Sequence, residues 1–302
     1  MAAARSHHRS ETNLDLQAQA AAPERPPGKD LTGLASYAGQ VAAQRHGGVH
    51  IFEFNGCRYV VKCQRSKRGA RLRACLSAAL CGMLFGVFPS PGRLRTGGIQ
   101  QEAQRLRALR AHGCAVPEVY QLSADHLLFE YCGPTVEALL GELRGAQRND
   151  LLLAAVDDLA EFHRRGHWHG GAQLRNLTMK QGRLYRIDFE ENTGVALPLP
   201  LAQAYDVLLA FNSMMDYLDG DRQFGARLLA RYLHLAGSTQ VVESLRRLEY
   251  WLRRIGRIER WLGTRLRRNR DLQRALMFAS ILDIALDGYD ATAPDGISEY
   301  KR

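Results

Sequence analysis

Two runs of alternating residues, Val-His-Ile-Phe-Glu-Phe at 49–54 and Cys-Arg-Tyr-Val-Val-Lys at 57–62, flank the dipeptide Asn55-Gly56. Period-two patterning around Asn-Gly is a strong local signal for a β-hairpin, because both turn residues accept a left-handed backbone. Runs at 115–120 and 127–131 carry the same β-branched and aromatic bias and predict two further strands. Between the strand pairs, 100–112 reads as a helix with Leu106 and Leu109 apolar and Gly113 as its stop. Beyond Gly133-Pro134 the period changes: a short helix is predicted over 136–143. A longer one follows over 150–165, with Leu152, Val156, Leu159 and Phe162 on one stripe. Strands gathered in the first third, followed by a helical remainder, make an α+β pattern.

The 302 residues are 46% apolar and 24% charged, which places the chain among soluble globular proteins. No apolar run reaches the roughly 18–20 residues of a membrane-spanning helix. Residues 1–34 are rich in Ala, Arg, Gln and Pro and read as a poorly ordered tail, with no continuous apolar core for a secretory signal. The six cysteines show no CxxC spacing, which argues against a zinc site or disulfide scaffold and fits a reducing compartment.

The net charge of +10 is unevenly placed. Residues 64–98 hold seven cations and no acid, and 246–270 hold ten arginines against Glu249 and Glu259. Two basic islands on a mildly acidic body imply localised contact with something anionic, not a nucleic-acid-binding surface over the whole molecule.

The stretch with most chemistry is His169-Gly170-Gly171-Ala172-Gln173-Leu174-Arg175-Asn176, followed by a Gln181-Gly182 turn and Ile187-Asp188-Phe189-Glu190. An Asn on a loop and an Asp at the next strand end can converge on one hard cation through oxygen ligands. This arrangement resembles the protein-kinase-like phosphotransferase superfamily, in which a His-x-Asp-x-x-x-x-Asn loop precedes a hairpin ending in a metal-binding Asp. In that likeness His169 is the loop histidine, and Asn176 and Asp188 are the magnesium ligands. Lys62 is the lysine on the ATP phosphates and Glu102 its helix partner. Residues 129–133 are the hinge, where the backbone of Glu130 and Cys132 would hold adenine. Asp206, in Ala204-Tyr205-Asp206-Val207, falls where the family braces the catalytic loop.

The resemblance covers roughly residues 45–215 and implies a bilobal protein-kinase-like fold. A small β-rich N-lobe would span 35–132, interrupted by an insertion at 64–98, and a helical C-lobe with Arg-rich C-terminal helices would span 133–302. Two departures stand out. The loop acid that accepts the substrate proton is Gly171 here. Gln173, two residues on, reaches the same space with an amide, a poor base; Asp206 is the other nearby acid. The glycine-rich phosphate loop is reduced to Gly47-Gly48 before the hairpin.

The insertion joins its basic run to a short apolar stretch at 76–88, broken by Pro89-Ser90-Pro91. Thirteen residues make about 20 Å of helix, too short to cross a bilayer. Basic-then-apolar composition suits a segment lying in a membrane interface, or a helix packed on a partner protein. Leu245, Leu248, Leu252, Ile255, Ile258, Leu262 and Leu266 form a helical stripe flanked by arginines, with Trp251 and Trp261 at its edge. The compact loop region resembles the lipopolysaccharide-core sugar kinases and aminoglycoside- or choline-kinase-like enzymes. The expectation is an ATP- and Mg2+-dependent phosphotransferase acting on a hydroxyl of a membrane-associated glycan or lipid, cytoplasmic and peripheral on the inner membrane face. The alternative is a pseudokinase, a nucleotide-binding or scaffolding module, prompted by Gly171. An RNA-associated small kinase is the least favoured reading.

Overall fold

The computed structural model describes residues 31–45, 47–64, 75, 78, 82, 86, 87, 89, 90, 97–259 and 270–292. Most of the 64–98 insertion, with its basic run and apolar stretch, and residues 1–30 lie outside the described residues, as do Trp261, Leu262 and Leu266.

The fold is mixed α+β, with a four-stranded antiparallel sheet, a two-stranded sheet and a helical body. Its first element corrects the predicted tail. Helix α1 (Leu31–Gln44) begins inside 1–34, and buries Leu34, Ala38 and Ala42 at helical spacing. Two of those three are alanines, so the stripe carries little hydrophobic signal.

Strands β1 (Gly48–Phe54) and β2 (Cys57–Cys63) form the expected hairpin in the register Val49 opposite Lys62 and Phe54 opposite Cys57. Asn55 and Gly56 are both left-handed, with φ of 51° and 75°, as a type I′ turn requires. Strands β3 (Val119–Leu122) and β4 (His126–Glu130) complete the sheet in the order β1-β2-β4-β3. The strand expected at 115–120 begins at Val119 instead. Pro117 has no N–H for a ladder, and the carbonyls of Ala115 and Val116 are taken by Arg186 N at 3.0 Å and Arg110 Nη1 at 3.2 Å.

Alternation gives the sheet two covered faces. Leu34 and Ala38 pack with Cys57, Tyr59 and Leu128 on one. On the other, Ile99, Ala103, Leu106 and Leu109 of helix α2 (Gly98–Ala111) pack with Val60, Leu127 and Phe129, joined by Phe162 and Phe189. Phe162 and Phe189 come from beyond the sheet, so this second core fastens the sheet to the helical body.

The crossing segment is clamped. A Cβ on Gly133 (φ 86°) would fall 1.9 Å from the Met179 carbonyl oxygen, so only glycine fits there. Helix α3 (Val136–Glu142) follows, N-capped by Thr135 Oγ1. Helix α4 (Gly145–Arg164) starts five residues before the predicted 150. Arg148 anchors that first turn through Leu143 O and Asp219. Next come β5 (Leu177–Lys180) and β6 (Arg183–Arg186), turning at Gln181-Gly182, then α5 (Thr193–Ala196) and α6 (Leu199–Met214). Helices α7 (Arg222–Ala236), α8 (Thr239–Glu259) and α9 (Arg270–Thr292) close the body around Phe211, Tyr232 and Phe278, which are fully buried. Leu245, Leu248 and Leu252 of the Arg-flanked stripe are in this core. No helix among the described residues is long and apolar enough to cross a membrane.

Candidate functional site

Lys62 ends the inner face of β2, on the same side as Val60 and Val49. Its ammonium lies 2.7 Å from Glu102 Oε2, 2.6 Å from Asp188 Oδ1 and 2.7 Å from Glu190 Oε1. Lys62 is 8% exposed and Glu102 1%. Burial alone would lower the lysine's affinity for its proton, but three carboxylates reverse that and hold it charged well above its ordinary range. Burial pushes the Glu102 carboxyl up to about 7, against the pull of Lys62. Asp188, whose side chain is 46% exposed, is opposed by partial burial, yet the Lys62 ammonium holds it below the usual carboxylate range. Carboxylate oxygens of Glu102, Asp188 and Glu190 lie within 4.8 Å of one another, and the Lys62 ammonium contacts all three.

Asp188 sits at φ 65°, a strained backbone for a non-glycine residue and one that clusters at functional sites. Phe189 beside it is buried, 4.3 Å between ring centroids from His169, and so locks the Asp188 loop onto the His169 loop.

His169 is fully buried. Its Nδ1 accepts from Gly171 N (3.1 Å), which places the ring proton on Nε2, facing Ile187 O at 2.9 Å. Burial drives its pKa down to about 3, so the imidazole is neutral and positions the loop. Asp206 is fully buried on α6 and accepts from His169 N (2.5 Å), Gly170 N (2.7 Å) and the His163 ring (3.3 Å). Burial opposes its ionisation, but these donors hold the carboxyl below its ordinary value. Both of its oxygens accept from the loop backbone or His163, so it braces the loop.

Asn176 donates Nδ2 to Gly171 O (2.8 Å), and its own carbonyl accepts from Ile187 N (3.0 Å). The first bond turns Oδ1 into the ligand-capable end of the amide, and the second holds Asn176 alongside the residue before Asp188. Gln173 is half-buried, and its side-chain amide makes no hydrogen bond among the described residues. Glu130 spends its carboxylate on Lys180 Nζ and Glu118 N, both at 3.2 Å, and its own N–H on Glu118 O at 2.9 Å. Cys132 is buried, its Sγ 3.9 Å from Glu130 O. Gly47 and Gly48 are both left-handed (φ 75° and 100°), and Gly48 pairs with Cys63, so this turn lies at the Lys62 end of the sheet.

Three residues absent from the sequence reading of the site belong to it. Glu190 is the third carboxylate on Lys62. Arg105, on α2, donates to the carbonyls of Trp168, His169 (3.0 Å) and Glu191 (3.1 Å) and stacks 3.5 Å over the Trp168 ring. Its position three residues after Glu102, hence on the same helix face, is the signal that marks it. Trp168 precedes the loop and carries no motif of its own.

No protein-family model and no curated protein matches this chain.

Proposed function

We propose that this chain is a bilobal, protein-kinase-like phosphotransferase dependent on ATP and Mg2+, acting on a hydroxyl of a membrane-associated glycan or lipid at the inner membrane face. The observation that carries the reading is the single ammonium of Lys62 held by Glu102, Asp188 and Glu190 at 2.6–2.7 Å. Residues 62, 102 and 188–190 come from a strand, a helix and a loop, and meet around the Lys62 ammonium.

The donor set fits the cofactor. Asp188 and Asn176 supply hard oxygens suited to Mg2+, and Lys62, oriented by Glu102, is a positive charge for the phosphates. Val49 and Ile51, exposed on the β1 face that carries Lys62, offer apolar surface for a base. Bound Mg·ATP supplies the transferable phosphoryl group and neutralises charge on it. The chain's own task is placement: Phe189, His169 and Asp206 fix the two loops, and Arg105 ties both to α2.

The membrane side of the reading rests on a second juxtaposition. Gly86 of the insertion borders a groove of about 360 Å³ with Arg246, Arg247, Tyr250 and Trp251 of α8. Gly86 and the Arg-rich helix, far apart in sequence, thus border one groove, and Tyr250 and Trp251 are amphipathic side chains suited to a membrane interface. A protein partner on this face is the competing occupant.

Gly171 favours a second reading, a pseudokinase that binds nucleotide without transfer. Titration of Mg·ATP by calorimetry, with release of labelled phosphate, tests both on wild type and Asp188→Ala. Binding and release that are both lost in the variant support the enzyme. Binding without release fits both the pseudokinase and an enzyme lacking its glycan or lipid acceptor, and no binding removes both in favour of a scaffold.

A further inference from the structure

A lysine that serves phosphates must turn its charge toward them, yet three carboxylates already surround the Lys62 ammonium at 2.6–2.7 Å. Three negative charges around one positive charge leave the spot electronegative, the opposite of what a triphosphate requires. Two of the three have a place in the kinase reading. Glu102, 1% exposed, orients the lysine, and the charge of Asp188 is offset by Mg2+ when the metal is bound. Glu190 has no such task, and its Oε1 lies 2.7 Å from Lys62 Nζ.

Glu190 can release Lys62 without moving its loop. Its carbonyl accepts from Gly97 N at 3.2 Å, at the N-terminus of α2. The Glu191 carbonyl accepts from Arg105 Nη1 at 3.1 Å, and the Asn192 and Gln101 side chains exchange hydrogen bonds of 2.6 and 3.1 Å. Three consecutive residues are therefore fastened along α2. The Glu190 side chain, in contrast, is 34% exposed, and among the described residues Lys62 is its one ion-pair partner. A turn of the Glu190 side chain toward solvent is enough to uncover the ammonium.

We propose that Glu190 is a built-in competitor of the nucleotide: its carboxylate holds Lys62 and must turn away before phosphates reach that ammonium; this rests on the kinase reading of the site. Affinity for a phosphate-bearing ligand is then lowered by the fraction of molecules in which Glu190 has let go. Affinity for a ligand without phosphates is untouched, because it makes no demand on Lys62. The contact is autoinhibitory, and anything that draws Glu190 off the lysine raises nucleotide affinity.

The test titrates Mg·ATP and, separately, adenosine into the full chain by calorimetry, comparing wild type, Glu190→Gln, Glu190→Ala and Asp188→Ala. Glu190→Gln keeps the size of the side chain and removes its charge, and Glu190→Ala frees the result from dependence on one substitution. Both are expected to bind Mg·ATP about 10-fold more tightly than wild type, with no gain for adenosine. Mg·ATP binding that appears only in the Glu190 variants supports the competitor and the kinase reading together. If both Glu190 variants bind Mg·ATP no more tightly than wild type, while Asp188→Ala loses binding, the competitor is overturned and the kinase reading stands. An equal gain for adenosine also overturns it, because the effect then does not pass through Lys62. No binding of Mg·ATP by wild type or by either Glu190 variant overturns both.

Discussion

Glu102 and Arg105 lie one helical turn apart on α2 and tie the sheet and the helical body to the same helix face. Glu102 reaches Lys62 on the sheet at 2.7 Å, while Arg105 reaches the carbonyls of His169 and Glu191 on the two loops of the helical body. A single rigid turn of helix thereby sets the distance between the lysine and the loops that carry Asn176 and Asp188. Arg105 is only partly exposed, and burial lowers its pKa to about 10, which still leaves it charged at neutral pH.

Arg105→Ala removes a charged fork from three carbonyls and a stack on Trp168. We expect a loss of about 2–4 kcal/mol in denaturant unfolding. Arg105→Lys keeps the charge without the planar fork and should recover less than half of that loss. Equal stability of the lysine variant and wild type would show that charge alone holds the loops.

Asp206→Asn keeps size but replaces one acceptor oxygen with an N–H donor aimed at backbone donors. Because Asp206 accepts from both His169 N and Gly170 N in a fully buried place, the variant should lose about 2–4 kcal/mol. It should also lower phosphate release, since the loop carrying Asn176 is released. Thermal unfolding and phosphate release, measured together, check this; an unchanged melting temperature would mean the brace is redundant.

Glu102 gives a pH signature with a definite sign. Its carboxyl stands at about 7 in the folded protein against an ordinary 4.5. Between those values the folded chain holds a proton that the unfolded chain has released, so this contribution to stability is fully present below 4.5 and is lost as pH rises through about 7. Glu102→Gln cannot titrate. Its stability relative to wild type should therefore climb across that window, as read from denaturant midpoints in a pH series. A flat difference would show Glu102 ionised throughout.

The groove beside α8 predicts charge-dependent association with bilayers. The protein should co-sediment with vesicles containing phosphatidylglycerol and not with pure phosphatidylcholine, and added salt should release it. Arg246→Glu combined with Arg247→Glu should reduce the bound fraction at least several-fold. Undiminished binding by that variant would move the contact away from α8, to the segment at 64–98.

Much of the local structure was legible because it depends on neighbours in sequence. The β1–β2 hairpin follows from alternation around Asn55-Gly56, and the second hairpin from Gln181-Gly182, in each case because a left-handed pair suits the strand twist. The order of Lys62, Glu102, Asn176 and Asp188 along the chain was equally plain. Helix α1 was not, since two of its three buried residues, Ala38 and Ala42, are alanines and it follows a Pro- and Gly-containing stretch. The start of β3 was misplaced because Pro117 removes a ladder donor and the 115–116 carbonyls are bonded to Arg110 and Arg186 instead of a strand.

Residue types and spacing by themselves determined the α+β character, the hairpins and which side chains have the chemistry for a cation and phosphates. Only the tertiary structure decided that Lys62 is shared by three carboxylates, that Asp206 spends its oxygens on the His169 loop, and that Gly86 lies beside Arg246 and Arg247. The reason is physical. Turn and period signals are encoded within a few residues, whereas a 2.6 Å contact across 126 residues of chain exists only once packing has brought a strand, a helix and two loops together.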